Sequence, residues 1–275
     1  MEGIVEKLLN HEDSKNNDST HTLMNGGKFY IPEKHLDKFY REFSKHSFQS
    51  EKPLALVERI KGIHPLLFDI DLKYKGKLSE RAFGEDVLEE LISLFCGKIK
   101  EAFEIDDPIN QFQAWVMMKD TPYPCTLSDY ESKDGIHIVF PNIIAKRDEY
   151  KDMMKDIQES QEVEDIFSGC EISPDNKPKT MVDADFSSWM IYGSAKPGEK
   201  PYAITNVYQL TQDDEIVQIS SDRFDAYYSS NPENNYTIAR RMSVAYRKEE
   251  EINAKIIPEY LESLQEKGFK PSSSK

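Results

Sequence analysis

An α+β fold is predicted for this chain, because amphipathic helical stripes and short buried-strand runs alternate along it without strict strand-helix-strand repetition. The 275 residues include 38% hydrophobic and 11% aromatic positions, which is apolar surface enough for one large domain or two small ones. No apolar run approaches the roughly 20 residues that a membrane-spanning helix needs. Met1 is followed by Glu2 rather than by a basic and then apolar leader, so a soluble, intracellular chain without a membrane partner is expected.

The elements follow in order. Residues 1–10 suit a short helix, and His11 to Thr22 is a polar, turn-rich leader ending near Gly26-Gly27. From Glu33 to Phe48, the residues Leu36, Phe39, Tyr40 and Phe43 recur at helical spacing. Leu66 to Leu72, bounded by Pro65 and Gly76, is too short for a helix and reads as a buried strand. Gly84 to Glu104 carries Val87, Leu88, Leu91, Phe95, Ile99 and Phe103 on one stripe, predicting a helix of about five turns. Strands are expected at Gln113 to Met118 and at Ile136 to Phe140, the second stopped by Pro141. A mostly solvated helix is expected over Arg147 to Phe167, then a turn-rich stretch with Pro174 and Pro178. Strands follow at Trp189 to Tyr192, Ala203 to Leu210 and Glu215 to Ile219. Beyond Asn231-Pro232, Tyr236 to Lys267 reads as one charged helix before Gly268 and a Pro-Ser tail, a linker that suggests a piece of something longer.

Charge and cysteines narrow the chemistry. Cys96, Cys125 and Cys170 lie far apart without CxxC spacing, so neither a disulfide framework nor a structural zinc site is expected. The net charge of −15 argues against tight, sequence-independent binding to duplex DNA. That acid is concentrated in Glu159 to Glu171 and Glu249 to Glu266, and a carboxylate-built metal site tolerates it because the ions bring their own positive charge.

Three constellations carry possible chemistry. Asp69 and Asp71 sit two apart on a strand and so share one face. Leu67, Phe68, Ile70 and Leu72 surround them, and carboxylates among such neighbours need partners. Clustered carboxylates are what a pair of hard divalent cations requires, although a lone DxD also occurs in phosphatases and glycosyltransferases. His137 shares a face with Val139 in an apolar strand, where a lone histidine is more often structural. Its lead-in Ser132-Lys133-Asp134-Gly135 shifts that balance, since glycine admits a substrate to the backbone and lysine meets phosphate. In the third, Val182-Asp183-Ala184-Asp185 precedes Trp189-Met190-Ile191-Tyr192-Gly193-Ser194-Ala195-Lys196-Pro197. An acid ahead of an apolar strand, with Gly193, Ser194 and Lys196 at its exit, is the order expected where a metal-bound triphosphate ends against a cation.

In this order the pieces resemble the motif set of the archaeo-eukaryotic primase (primase-polymerase) superfamily. Phe68-Asp69-Ile70-Asp71 stands for its hDhD strand, Gly135-Ile136-His137 for its strand histidine, and Val182-Asp183 for its later acid. The likeness is closer still to the primase domain of primase-helicases of large nucleocytoplasmic DNA viruses. It is carried by Asp134-Gly135-Ile136-His137-Ile138-Val139-Phe140-Pro141, the phrase from Trp189 to Pro197, and Thr20-His21-Thr22. It runs from about residue 20 to 230.

The resemblance implies a primase catalytic core with mixed β-sheets, one half RRM-like, flanked by helices. It implies a leader over 1–25, a catalytic domain over 26–230 and a charged helical tail over 231–275 leading toward a helicase region. Asp69, Asp71 and Asp183 become the acids for Mg²⁺ or Mn²⁺. His137, Lys133, Gly135, Ser194 and Lys196 become the nucleotide-binding set. Single-stranded DNA template, NTP or dNTP, and a fused or partner helicase are the implied partners, at a site of viral DNA replication in the host cell. Two departures stand out: Gly135 replaces a serine common in the family, and the gap from the third acid to Tyr192-Gly193-Ser194 is short. The short gap makes Asp185 a rival for Asp183, with Val182 favouring Asp183. Two other classes stay open, a DxD phosphohydrolase and a nucleic-acid-binding adaptor without activity. Leu72-Lys73 after the second acid counts against the first of these.

Overall fold

The computed structural model describes residues 19–49, 53–127, 129–170, 172, 175–220 and 231–272. The expected helix over 1–10, most of the leader, Pro174 and the last three residues lie outside the described residues. The first elements are β1 (His21–Leu23), β2 (Lys28–Phe29), α1 (Glu33–Ser44), β3 (Leu56–Arg59) and β4 (Ile63–Tyr74). Next come α2 (Glu85–Ala102), β5 (Phe103–Ile105), α3 (Pro108–Gln111), β6 (Gln113–Met118), β7 (Tyr123–Pro124) and β8 (Ser132–Lys146). These lead to α4 (Arg147–Glu159), α5 (Glu162–Ile166), α6 (Pro178–Met181), β9 (Val182–Asp183), β10 (Ser188–Met190), β11 (Ala203–Leu210) and β12 (Ile216–Gln218). The chain closes with α7 (Pro232–Met242), β13 (Ala254–Ile256) and α8 (Pro258–Glu266). This is an α+β architecture, as predicted.

The chain forms two compact units, each assembled from separated segments. The first takes the chain up to Pro65, Phe186–Ile204 and Ser220–Glu251. The second takes Leu66–Asp185, Thr205–Ile219 and Ile252–Lys275.

In the first unit a four-stranded antiparallel sheet has the order β10-β3-β1-β2. Helix α1 buries Leu36, Phe39, Tyr40 and Phe43, the predicted stripe. It ends at Ser44, four residues short of the expected Phe48. The amides of His46 and Ser47 both return to the Phe43 carbonyl, Ser47 Oγ donates to Ser44 O at 3.0 Å, and Phe48 has turned to φ +62°. Helix α7 packs on α1, with Arg41 reaching Glu233 at 3.0 Å.

The Thr20-His21-Thr22 phrase is structural here. Glu58, 2% exposed, stands between His21 and Trp189 in the strand register. It accepts from Ser243 Oγ at 3.0 Å and from the Val244 amide at 2.8 Å, and lies 3.5 Å from His21 Nε2. Tyr40 donates to Ser243 Oγ, and the Thr20 hydroxyl accepts from the Ile31 amide and lies 2.8 Å from His21 Nδ1. This buried network ties β1, β3, α1 and the exit of α7 together, and buried polar groups hold only while each has its partner.

In the second unit the main sheet has seven strands, with the path β12-β11-β6-β8-β4-β9 and β7 paired onto β8. Strand β4 is longer than the predicted Leu66 to Leu72, and alternation organises it: Phe68, Ile70, Leu72 and Tyr74 are 0–2% exposed. Phe68 stacks on Phe95 of α2, centroids 4.0 Å apart, so α2 covers this apolar face. Strand β8 runs through Pro141 instead of stopping there, because proline's fixed φ is compatible with extended chain and costs one donor. The helix expected over Arg147 to Phe167 breaks at Ser160, whose amide closes onto Asp156 O and Ile157 O. It is amphipathic rather than mostly solvated, burying Tyr150, Met153, Met154 and Ile157.

The segment 231–275, expected as one charged helical linker, is divided between the units. Strand β13 pairs antiparallel with β5, Ala254 opposite Ile105, and Tyr260 of α8 donates to Asp156 at 3.1 Å. Its apolar residues Ile238, Met242, Ala254 and Leu264 are buried, which a free linker would not do. No helix among the described residues is long and apolar enough to cross a membrane.

Replacing Glu58 by alanine strands a buried hydroxyl, an amide and an imidazole at once, a loss of about 3 kcal/mol. The expected result is a clearly lowered unfolding midpoint for Glu58→Ala in a urea melt followed by tryptophan fluorescence.

Candidate functional site

The acids are assembled by strand pairing. Asp69 and Asp183 are direct Cα partners in the antiparallel β4–β9 pair, with Ile70 opposite Val182. Directly opposed residues project to the same face, and Asp71 joins that face two positions along β4. The apolar partners Ile70 and Val182 face the core, 0% and 2% exposed, which leaves the acids on the opposite side. Strand β8 lies on the other edge of β4 and brings Lys133, Gly135 and His137 on alternate positions. Lys133 Nζ donates to Asp71 Oδ2 at 2.6 Å, and His137 Nε2 lies 3.4 Å from Asp69 Oδ1. Gly135 falls between the lysine and the histidine and adds no side chain to that stretch of the face.

Several residues without a motif hold this arrangement. Arg81 grips the fully buried Asp134 through two nitrogens, at 2.7 and 3.1 Å, and donates to Lys119 O at 2.8 Å. A buried carboxylate so paired anchors the lead-in to Lys133 and His137. Asn176 acts as an extra edge for β4: its side chain accepts from the Lys73 amide at 3.0 Å and donates to the Lys73 carbonyl at 2.7 Å. Gln158 of α4 donates to Val182 O at 2.6 Å, and Tyr150 donates to Leu67 O. The Tyr150 phenol is pushed well above its ordinary range by burial first, then by the charges of Asp183 and Asp69. The two acids therefore act electrostatically on the same buried hydroxyl.

Asp183 and Asp185 are separated by their surroundings. Asp185 lies 2.6 Å from Lys151 Nζ and 3.2 Å from Arg147 Nη2, and no strand partner places it over β4. The Lys151 hydrogen bond holds its carboxyl below the usual aspartate range, with the charges of Lys151 and Arg147 adding to the shift. Its amide donates to Asp183 Oδ1 at 3.1 Å. Asp183 is thus the acid that shares a face with Asp69.

Ser194 and Lys196 belong to the first unit. Gly193 has φ +91°, and a Cβ there would sit 2.3 Å from Ser47 Cβ, so glycine is required by packing as well as by the turn. The Ser194 hydroxyl is buried and has no hydrogen-bond partner among the described residues, while Lys196 is exposed. A cleft of about 600 Å³ opens beside the phrase, lined by Leu54, Ala55 and Pro197 among others.

Three carboxylates on one sheet face suit a hard divalent cation in kind, since such ions take oxygen donors. Among the described residues, however, no three His, Cys, Asp or Glu side chains are already gathered as a cation cage. The reason is local: Asp71 is turned to Lys133 and Asp69 to His137. Donor chemistry and strand register fit an ion, and the side-chain rotations that would close around it are not those seen.

The family model described as the C962R protein N-terminal AEP domain matches residues 20–208. The chain belongs to this archaeo-eukaryotic primase family. Domains of the family are of the primase or primase-polymerase class of nucleotidyltransferase and are generally dependent on divalent metal. No curated protein matches the chain.

The Asp185 surroundings give a direct check. Its carboxyl is expected to titrate below the ordinary 3.8 in an NMR pH series, and to move back toward that value in Lys151→Ala. Because the folded value is depressed, the Asp185 pairing contributes in full above the ordinary value and is lost as pH falls through the lowered one.

Proposed function

We propose that this chain is a template-dependent nucleotidyltransferase that synthesises or extends primers on single-stranded DNA from nucleoside triphosphates. The observation that carries the reading is the pairing of Asp69 with Asp183, which sets the DxD strand and the third acid on one face beside His137. Family membership over residues 20–208 supports it and covers most of the proposed catalytic region, 26–230. The likeness to primase domains of viral primase-helicases supports a place in viral DNA replication, with a fused or partner helicase holding the template.

Asp69, Asp71 and Asp183 would hold Mg²⁺ or Mn²⁺. When bound, such ions lower the pKa of an attacking hydroxyl and neutralise charge on the transferred phosphate and its leaving group. The protein's own part is positioning. Lys133, now the counter-ion of Asp71, is placed to move its ammonium to triphosphate oxygens once that carboxylate is engaged elsewhere. His137 donates from Nε2 to a phosphate oxygen in place of its approach to Asp69. Gly135 puts no side chain between Lys133 and His137. Ser194 and Lys196 stay proposed phosphate contacts on the strength of the family resemblance alone.

One observation favours a second reading, a nucleic-acid-binding adaptor without activity: the Lys133–Asp71 ion pair already neutralises one of the three acids. Both readings meet in one assay, extension of a labelled primer on single-stranded template with Mg²⁺ or Mn²⁺. Asp69→Ala and Asp71→Ala should each lose several kcal/mol of transition-state stabilisation, about 10³-fold in rate. Mutants as active as the parent chain would end the nucleotidyl-transfer reading, and template binding without any incorporation would favour the adaptor.

A further inference from the structure

Arg147, Lys151 and Lys155 recur every fourth residue of α4, so three cations line one face of a helix over about 12 Å. They do not serve the helix itself. Arg147 is its first residue, where the helix dipole disfavours positive charge and where Asp148 and Glu149 already supply the favourable sign. Nor are they a general property of the surface, since the chain carries a net charge of −15. Lys151 and Arg147 are held partly buried, their side chains 19% and 26% exposed.

An anion already sits on the stripe. Asp185 Oδ1 is 2.6 Å from Lys151 Nζ and 3.2 Å from Arg147 Nη2, and the positive charge of Lys155 also bears on it. Lys155 itself donates to Ser272 Oγ at 3.3 Å. Asp185 is 66% exposed and follows the edge strand β9, so it can swing away without unpacking the core. The helix cannot, because Gln158 is bonded to Val182 O and Tyr150 to Leu67 O, which locks the stripe next to the acids.

We infer that the α4 stripe is a track for the backbone phosphates of a single DNA strand, and that Asp185 is its built-in competitor. A carboxylate and a phosphodiester each present two oxygens sharing one negative charge, so the seat that holds one accepts the other. The length of the stripe favours successive phosphates of a strand over the one triphosphate of a nucleotide. The identity of the ligand rests on the proposed nucleotidyl-transfer reading, while the anion seat rests on geometry alone. Asp185 thereby sets template affinity: it occupies the track until a strand displaces it, and its amide contact to Asp183 Oδ1 links that displacement to the third acid.

The test is fluorescence anisotropy of a labelled oligothymidylate with the full chain, free of metal and nucleotide, across a salt series. Lys151→Ala is expected to weaken binding about 5-fold at low salt and to reduce the slope of log K against log salt by about 0.7. Asp185→Asn is expected to tighten binding about 3-fold or more, with a single cooperative melting transition kept in both variants. Asp213→Asn removes the same charge from the turn between β11 and β12 and should leave binding at the parent value. Parental affinity in both stripe variants, equal tightening in the Asp213 control, or no salt-dependent binding at all would overturn the proposal. So would a nucleoside triphosphate whose binding responds to Lys151→Ala while the oligonucleotide's does not. Because incorporation is measured separately, Asp69→Ala and Asp71→Ala variants that keep full activity sink the enzyme reading alone, and silent stripe variants sink this one alone.

Discussion

Strand β4 is held from both edges, by β8 on one side and β9 on the other, and everything in the site depends on that double pairing. Its alternation sends Phe68, Ile70, Leu72 and Tyr74 into the core under α2 and leaves Asp69, Asp71 and Lys73 on the other side. A slip of one residue against β9 would turn Asp183 inward and Val182 outward. Burial of Val182 against Ile70 penalises that slip and keeps the acids in step. Hydrophobic packing on one face is therefore what keeps the three carboxylates together on the other.

Electrostatics explains how so acidic a chain keeps its carboxylates together. Asp134 is bound by Arg81, Asp71 by Lys133 and Asp185 by Arg147 and Lys151, while Asp69 lies beside His137. Asp183 is satisfied differently, accepting the amide of Asp185. Cations compensate locally, within the second unit, and the total of −15 says little about the potential at this face. Asp69 with His137 and Asp71 with Lys133 thus form two acid–base pairs side by side across the neighbouring strands β4 and β8.

The phrases that carry the family likeness divide into residues on the acid-bearing face of the sheet and residues that build the frame. His21 and Gly193 are of the second kind. One completes a buried network around Glu58, and the other lets the chain turn against Ser47. A motif is thus a mixed signal: the same run Tyr192-Gly193-Ser194 contains a ring packed on Phe48, a packing glycine and a buried hydroxyl with no partner among the described residues.

The residues alone determined the α+β class, the span of β6 and β11, the stripes of α1 and α2, and the shared face of Asp69 and Asp71, because these follow from local periodicity. Pro141 and the segment 231–275 were misjudged from the chain, since a proline's tolerance in a strand and a charged helix's destination depend on distant neighbours: β13 finds β5 some 150 positions back along the chain. Only the tertiary structure set Asp183, and not Asp185, opposite Asp69, and only it gave Arg81, Asn176 and the α4 cations their partners. Their partners lie in other elements, and no local pattern records which strand will pair with which, or which cation will meet which acid.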